Sequence, residues 1–206
     1  LKETYLKRGP EMLRFFHDNT KHMRFKYATN YSDYYAHLPG GKPTGRSIEP
    51  EIIDLRLLKE WEGLILEPTI STKGFTITGQ EFHKVNMIMR TIKGKATSLK
   101  LGTRMIKSKL TGARYASLGR ALMARMALSY KKAGGKFRVN AAFKDFIVEN
   151  NRVIGVLIES NGKQLRLKAN RGVILGAGGF SQNQEKRQQY LPHPTNKEWT
   201  SSPAGQ

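Results

Sequence analysis

Three short segments in the second half of the chain, residues 142–149, 153–159 and 163–168, alternate apolar and polar side chains. They are separated by Asn150-Asn151 and Asn161-Gly162. Alternation is the period of a half-buried strand, and Asn-Gly readily takes the two positive φ angles of a tight hairpin. The segments therefore predict a three-stranded antiparallel β-meander. A helix precedes it over residues 115–133, where Leu118, Leu122, Met126 and Tyr130 recur at steps of four along one face. Lys131 and Lys132 oppose the helix dipole in its last turn, and Gly134-Gly135 supplies the stop. A short strand is expected at Lys136–Val139. A buried strand is expected at Gly172-Val173-Ile174-Leu175, running straight into Gly176-Ala177-Gly178-Gly179. Helix, meander and strand-to-glycine turn in this order give the α/β class.

The first half is less regular. Residues 3–17 predict one helix, or two short ones broken near Gly9-Pro10, with Met12, Leu13, Phe15 and Phe16 as the apolar face. Residues 23–50 bring together Tyr27, Tyr31, Tyr34 and Tyr35 with the turn formers Pro39-Gly40-Gly41 and Lys42-Pro43-Thr44-Gly45. That composition predicts a shaped loop. Residues 53–66 and 81–89 read as helical, with a loop at Ser71-Thr72-Lys73-Gly74. The expected organisation is a helical and loop region over 1–111, carrying the tyrosine loop, followed by helix, meander and glycine turn over 112–206.

Charge narrows the function classes. Lys and Arg number 36 against 16 Asp and Glu, a net charge of +20, and residues 82–144 contain sixteen of those positives and no acid. Such a block attracts nucleic acid, anionic lipid or an acidic partner through its field alone. The four loop tyrosines lie outside it, where they could not interleave with it to stack bases, so no nucleic-acid partner is expected. Residues 92–111 form a basic amphipathic stretch with Leu99, Leu101, Met105, Ile106 and Leu110 on its other side. Core contact is favoured for it, with peripheral membrane contact as the alternative. The chain has no cysteine, which excludes disulfides and thiolate chemistry. No apolar run reaches the ~18–20 residues of a spanning helix and no apolar leader opens the chain, so the expected compartment is the cytoplasm.

Two motifs could carry chemistry. Closely spaced glycines after a strand let backbone approach a phosphate or a flat ring, although GAGGFSQ is not a G-x-G-x-x-G fingerprint. Phenols can donate to a ketone or relay a proton beside a cation, and Lys42 and Arg46 are near in sequence. His17, His22, His37, His83 and His193 lack metal-ligand spacing, so no metal is expected.

The elements GPEML, YSDYY and PGGKPTGRSIEP, together with VILGAGGFSQN and EWTSSPAGQ, carry a resemblance across the whole chain. It resembles the fumarate reductase and succinate dehydrogenase flavoprotein-like family, and within it the FAD-dependent 3-ketosteroid dehydrogenases. The resemblance implies an incomplete Rossmann-like FAD-binding domain, an internal fragment whose family counterparts have a G-x-G-x-x-G unit before Leu1 and a substrate-capping domain after Gln206. It implies FAD as cofactor and a 3-oxosteroid as substrate, dehydrogenated (1,2-desaturation favoured) by proton abstraction and hydride transfer. A related enoate or fumarate-type reductase is the second enzyme reading, and a basic nucleic-acid or anionic-membrane binding module is the reading of another class. The resemblance further implies that Tyr34, with Tyr31 as second choice, lines the steroid pocket and assists proton removal. Ala142 and Phe143 match the backbone beside adenine, and Gly176, Ala177, Gly178 and Gly179 match the turn over the adenosine and pyrophosphate.

Overall fold

The computed structural model describes residues 1–29, 31–68 and 74–201. The expected loop residues Ser71, Thr72 and Lys73 lie outside these, while Gly74 sits in a turn at φ +84°. The chain forms two compact units, Leu1–Lys136 and Phe137–Gln206.

The first unit opens with helix α1 (Lys2–Asn19), which runs unbroken through Pro10 and buries no residue. Leu6 and Pro10 are both exposed, so water can take the carbonyl that the proline nitrogen leaves without a donor. Strands β1 (Phe25–Tyr27) and β2 (Ile48–Pro50) then pair antiparallel and clamp the base of the tyrosine loop, with Lys26 opposite Glu49. A second small ribbon joins β3 (Ile53–Asp54) to β4 (Tyr115–Ala116). Between them lie a 3-10 stretch (Leu55–Leu64) where an α-helical pattern was expected, then helices α2 (Gly79–Val85) and α3 (Ile92–Thr111). Helix α4 (Leu118–Lys132) closes the unit.

The core gathers Ile53, Leu55, Leu58, Ala116, Ala121, Ala124 and Leu128. This corrects the expected α4 face. Leu118, Met126 and Tyr130 are 46%, 43% and 50% exposed, whereas Ala121 and Ala124 are fully buried. Small side chains on that side let β3 and the 3-10 stretch approach the helix closely. Lys131 reaches back to the Leu58 carbonyl (2.9 Å) and the Glu60 carboxylate (2.6 Å), bracketing Lys59, whose φ of +56° kinks the stretch. The Lys131 ammonium also lies 5.2 Å from the Trp61 ring centre.

Helices α2 and α3 are joined by a buried ionic hub. Thr78 and Glu81 make a reciprocal capping box at the start of α2. The Glu81 carboxylate also accepts from both Arg104 Nη atoms at 2.9 and 2.7 Å, and pairs with Lys100 at 3.2 Å. Burial pushes its pKa up, but the Arg104 hydrogen bonds, the Thr78 amide and Lys100 outweigh burial and hold it at about 2. A folded pKa below the unfolded one stabilises above the unfolded value and is lost as pH falls through the folded one. We therefore expect Glu81→Gln to cost about 2–3 kcal/mol at neutral pH, a deficit that shrinks steadily between about pH 4.5 and 2. Paired melts of variant and parent across that range check it; a deficit independent of pH would contradict the ionic account.

The second unit holds the meander: β5 (Ala141–Glu149), β6 (Arg152–Ser160) and β7 (Lys163–Lys168), antiparallel in the order β5-β6-β7. Its turns take positive φ at Asn150 (48°), Asn151 (60°), Asn161 (53°) and Gly162 (72°), as the sequence predicts. Gly155 in β6 faces the Leu167 carbonyl, where an added Cβ would sit at 2.3 Å. Helix α5 (Gln184–Tyr190) follows, capped by the Asn183 side chain on the Lys186 amide at 2.9 Å.

Two expected strands are absent. Residues 136–139 form none, because the chain turns back on α4: Gly135 lies against the Tyr130 ring, and the Tyr130 hydroxyl donates to the Lys136 carbonyl at 3.0 Å. Gly172–Leu175 takes no regular structure and pairs with no strand among the described residues, leaving Ile174 95% exposed. A strand is a pairing, and an apolar run without a partner stays irregular. No helix among the described residues is long and apolar enough to cross a membrane.

Candidate functional site

The tyrosine loop is shaped from its base upward. Beyond the β1–β2 ribbon, the Ala28 amide donates to the Ser47 carbonyl at 2.8 Å, extending the ladder by one step. Asp33 then ties the loop across its width. Its amide donates to the Lys42 carbonyl (3.0 Å), and its carboxylate accepts from the Lys42 amide (2.8 Å) and the Arg46 guanidinium. Arg46 donates in addition to the Gly40 carbonyl at 3.1 Å. The Arg46 hydrogen bond, followed by the Lys42 amide, holds the Asp33 carboxyl below the usual carboxylate range. Gly41 is obligatory here: a Cβ would fall 2.5 Å from the Tyr35 carbonyl oxygen.

On this frame the phenols are presented outward. Tyr34 and Tyr35, in the turn at the loop's crest, are 94% and 68% exposed. Tyr31 is 41% exposed and meets the His83 ring edge-on, 5.8 Å between centroids. Helix α2 backs the loop entry through His83, through Gln80 donating to the Tyr27 carbonyl, and through Gly79, whose amide donates to the buried Glu49 at 2.7 Å. One expectation changes. Arg46, read as a cation for a phenol, is taken up by Asp33 and Gly40, so it shapes the loop instead.

The candidate cofactor residues lie in the second unit. Ala142 and Phe143 sit on β5, the edge strand, opposite Glu159 and Ile158 and just before a bulge. Phe143 is 45% exposed and meets Phe146 at 5.0 Å. Gly176, Ala177, Gly178 and Gly179 are all exposed. A Cβ at any of the three glycines would meet nothing within 4 Å, and Gly178 takes φ +72°. This is exposed backbone with room at each missing side chain, so a flat or phosphate-bearing ligand can come close to the main chain here.

A separate cleft of about 850 Å³, lined among others by Leu55, Lys59, Arg114, Tyr115 and Arg120, gathers none of the predicted residues. Among the described residues no group of three or more His, Asp or Glu could hold a metal ion. The framing roles of Asp33, of His83 (read from sequence only as lacking metal-ligand spacing) and of the Thr78–Glu81 capping box emerge from the structure. The last was readable as Thr-x-x-Glu; the first two depend on partners distant in the chain.

A family model described as FAD binding domain matches residues 1–206. The chain is 37% identical to a 3-oxosteroid 1-dehydrogenase of Mycolicibacterium smegmatis, over 96% of this chain and 36% of that protein. It is 38% identical to the 3-oxosteroid 1-dehydrogenase of Mycobacterium tuberculosis, with the same coverage of 96% and 36%. It is 29% identical to a 4-oxocyclohex-2-ene-1-carboxylate 5-dehydrogenase of Sinomonas cyclohexanicum, over 92% and 33%. Among solved structures, the 3-ketosteroid delta1-dehydrogenase of Sterolibacterium denitrificans, in complex with 1,4-androstadiene-3,17-dione, superposes with a TM-score of 0.84. It is 32% identical, over 97% of this chain and 37% of that one. The chain thus spans little more than a third of the length of these 3-oxosteroid relatives.

Proposed function

We propose, from the premise that this chain belongs to the FAD binding domain family, that it is part of a flavin-dependent dehydrogenase that desaturates a 3-oxosteroid beside its ketone. The observation that carries the reading is the superposition at TM-score 0.84 over 97% of the chain on a 3-ketosteroid delta1-dehydrogenase. The names of the relatives share one chemistry, removal of hydrogen from a ring that bears a ketone.

The residues present fit one side of FAD. The open backbone of Gly176, Ala177, Gly178 and Gly179 would face the adenosine and pyrophosphate, and the edge-strand backbone at Ala142 and Phe143 would lie beside adenine. When bound, FAD supplies the electron-deficient ring that takes a hydride from the steroid. A ketone makes the hydrogen next to it acidic, because the electrons left behind spread onto oxygen. Proton loss from C2 and hydride loss from C1 together create the 1,2 double bond. Tyr34 lines the steroid side in this reading, its hydroxyl assisting a base in removing the C2 proton, and Tyr31 is the alternative holder of that role. Asp33 and Arg46 keep the loop in the shape that presents those phenols. The tyrosines, rather than dicarboxylate-holding His and Arg, favour a ketone over a fumarate-type substrate. The Rossmann-like arrangement of the surrounding domain, and the division of its work between residues 1–111 and 112–206, belong to the same proposal.

The test uses the full-length protein. Purified material is expected to be yellow, and anaerobic addition of a 3-oxo-4-ene steroid is expected to bleach the flavin band with formation of the 1,4-diene. A yellow protein that bleaches with no cyclic ketone would refute the substrate reading; a colourless one would refute the cofactor.

A further inference from the structure

Two adjacent residues of α2 hold the two stems of the tyrosine loop. The Gln80 side chain donates to the carbonyl of Tyr27, the last residue of β1 and the entry to the loop. The Gly79 amide donates at 2.7 Å to Glu49 in β2, at the loop's exit. That contact is close: a Cβ at Gly79 would stand 3.2 Å from the same Glu49 oxygen. One turn further along α2, His83 meets Tyr31 inside the loop. At about 100° per residue Glu81 and His83 point to opposite sides of α2, and Glu81 is gripped by Arg104 and Lys100 of α3. Gly94 of α3 packs tightly against the end of α2, where an added Cβ would fall 2.6 Å from the Met87 carbonyl oxygen and 2.8 Å from that of Lys84. Helix α2 is thus anchored to α3 on one side and holds the loop on the other.

Glu49 is the unusual member of this arrangement. It is only 9% exposed and joins none of the ion pairs among the described residues, although Lys26 stands opposite it in the strand register. A buried carboxylate without a countercharge costs stability, so its presence asks for a role other than packing. We propose that Glu49 is a positioning residue for the tyrosine loop: its carboxylate fixes β2 to α2, and α2 in turn sets where Tyr31 and Tyr34 stand. The proposal rests on the 3-oxosteroid reading above, in which those phenols assist proton removal. Every contact that carries it lies within residues 25–104, so it does not depend on what a longer protein covers. A group that assists proton transfer must be held to within about 0.5 Å, and a misplacement of about 1 Å can cost about 100-fold in rate. Asp33 and Arg46 shape the loop from inside; Glu49 places the shaped loop on the body of its unit.

The experiment is steady-state kinetics of the full-length protein with a 3-oxo-4-ene steroid. Glu49→Leu removes the acceptor of the Gly79 amide and is expected to lower kcat about tenfold or more, with KM within about threefold of the parent's and flavin content unchanged. Glu49→Gln keeps an oxygen for that amide and is expected to recover most of the rate. Gln80→Met releases the loop's other stem and is expected to give a smaller loss of the same kind; it decides the matter if Glu49→Leu does not fold. Coupling separates positioning from general weakening. Added to whichever of Tyr34→Phe and Tyr31→Phe itself loses turnover, Glu49→Leu is expected to cost little further rate, because the group it positions is already gone. An unchanged kcat in folded Glu49→Leu, or in Gln80→Met where that variant decides, overturns the proposal. So does a loss that multiplies in full with the tyrosine's, one that Glu49→Gln does not relieve, or one confined to KM or flavin content. Silence of both tyrosine variants overturns it too. A parent that dehydrogenates no 3-oxosteroid refutes the functional reading and the proposal together, whereas an active parent with an equally active Glu49→Leu refutes the positioning alone.

Discussion

Replacing Tyr34 by phenylalanine in the full-length protein is expected to lower turnover of a 3-oxosteroid by about 100-fold, which is about 2.7 kcal/mol of barrier. Flavin content and melting temperature should stay close to the parent's. The ring is 94% exposed, and the loop beneath it is held by Asp33, Lys42 and Arg46 rather than by the phenol. Losing one hydroxyl there removes chemistry and little packing. Steady-state kinetics of Tyr34→Phe and Tyr31→Phe side by side make the check. A large loss at Tyr31 with none at Tyr34 moves the role to the ring beside His83. No loss at either removes the loop from the proposed mechanism. Because Tyr31 does contact His83, its variant should be read together with a melt.

The second large effect concerns stability. Arg125, on the buried side of α4 and only 8% exposed, donates to three main-chain carbonyls, those of His22, Glu51 (2.7 Å) and Ile52 (2.9 Å). It ties the segment leading into β1 and the link between β2 and β3 to one helix. Its nearest carboxylate oxygen, on Glu51, is 4.0 Å away, and burial lowers its pKa from the usual guanidinium value. Arg125→Met keeps much of the volume and leaves three carbonyls with no donor, at a cost of about 1 kcal/mol or more each. A loss of about 3–5 kcal/mol is therefore expected, read as a large fall in melting temperature. Arg125→Lys should recover only part of it, since an ammonium cannot fan out to three acceptors as a guanidinium does. A melting temperature within a degree or so of the parent's for Arg125→Met would show that water replaces the guanidinium.

The meander, the helix at 118–132 and its glycine stop were legible because each is specified by neighbours in sequence. Asn161 and Gly162 tolerate positive φ wherever they are placed, and alternation fixes which side chains share a face. The family resemblance was legible for a related reason: YSDYY and PGGKPTGRSIEP are local strings, and the match runs over residues 1–206. The loop's internal frame was not legible. Asp33 and Arg46 are thirteen residues apart, and nothing in their spacing says that a carboxylate meets a guanidinium across an intervening turn.

What the sequence determined by itself was local: turn positions, the helix at 118–132, the three strands of the meander, and the composition of the tyrosine loop and the glycine turn. What only the tertiary structure decided was which surfaces meet. A stripe at steps of four on α4 pointed to Leu118, Leu122, Met126 and Tyr130, yet the face in the core is that of Ala121, Ala124, Arg125 and Leu128. Periodicity names a face; the partner's shape chooses it, and here β3 and the 3-10 stretch pack against the side that carries Ala121, Ala124 and Leu128. The runs at 136–139 and 172–175 have strand composition but form no strand, because backbone pairing is a property of two segments and a single stretch of sequence specifies only one of them.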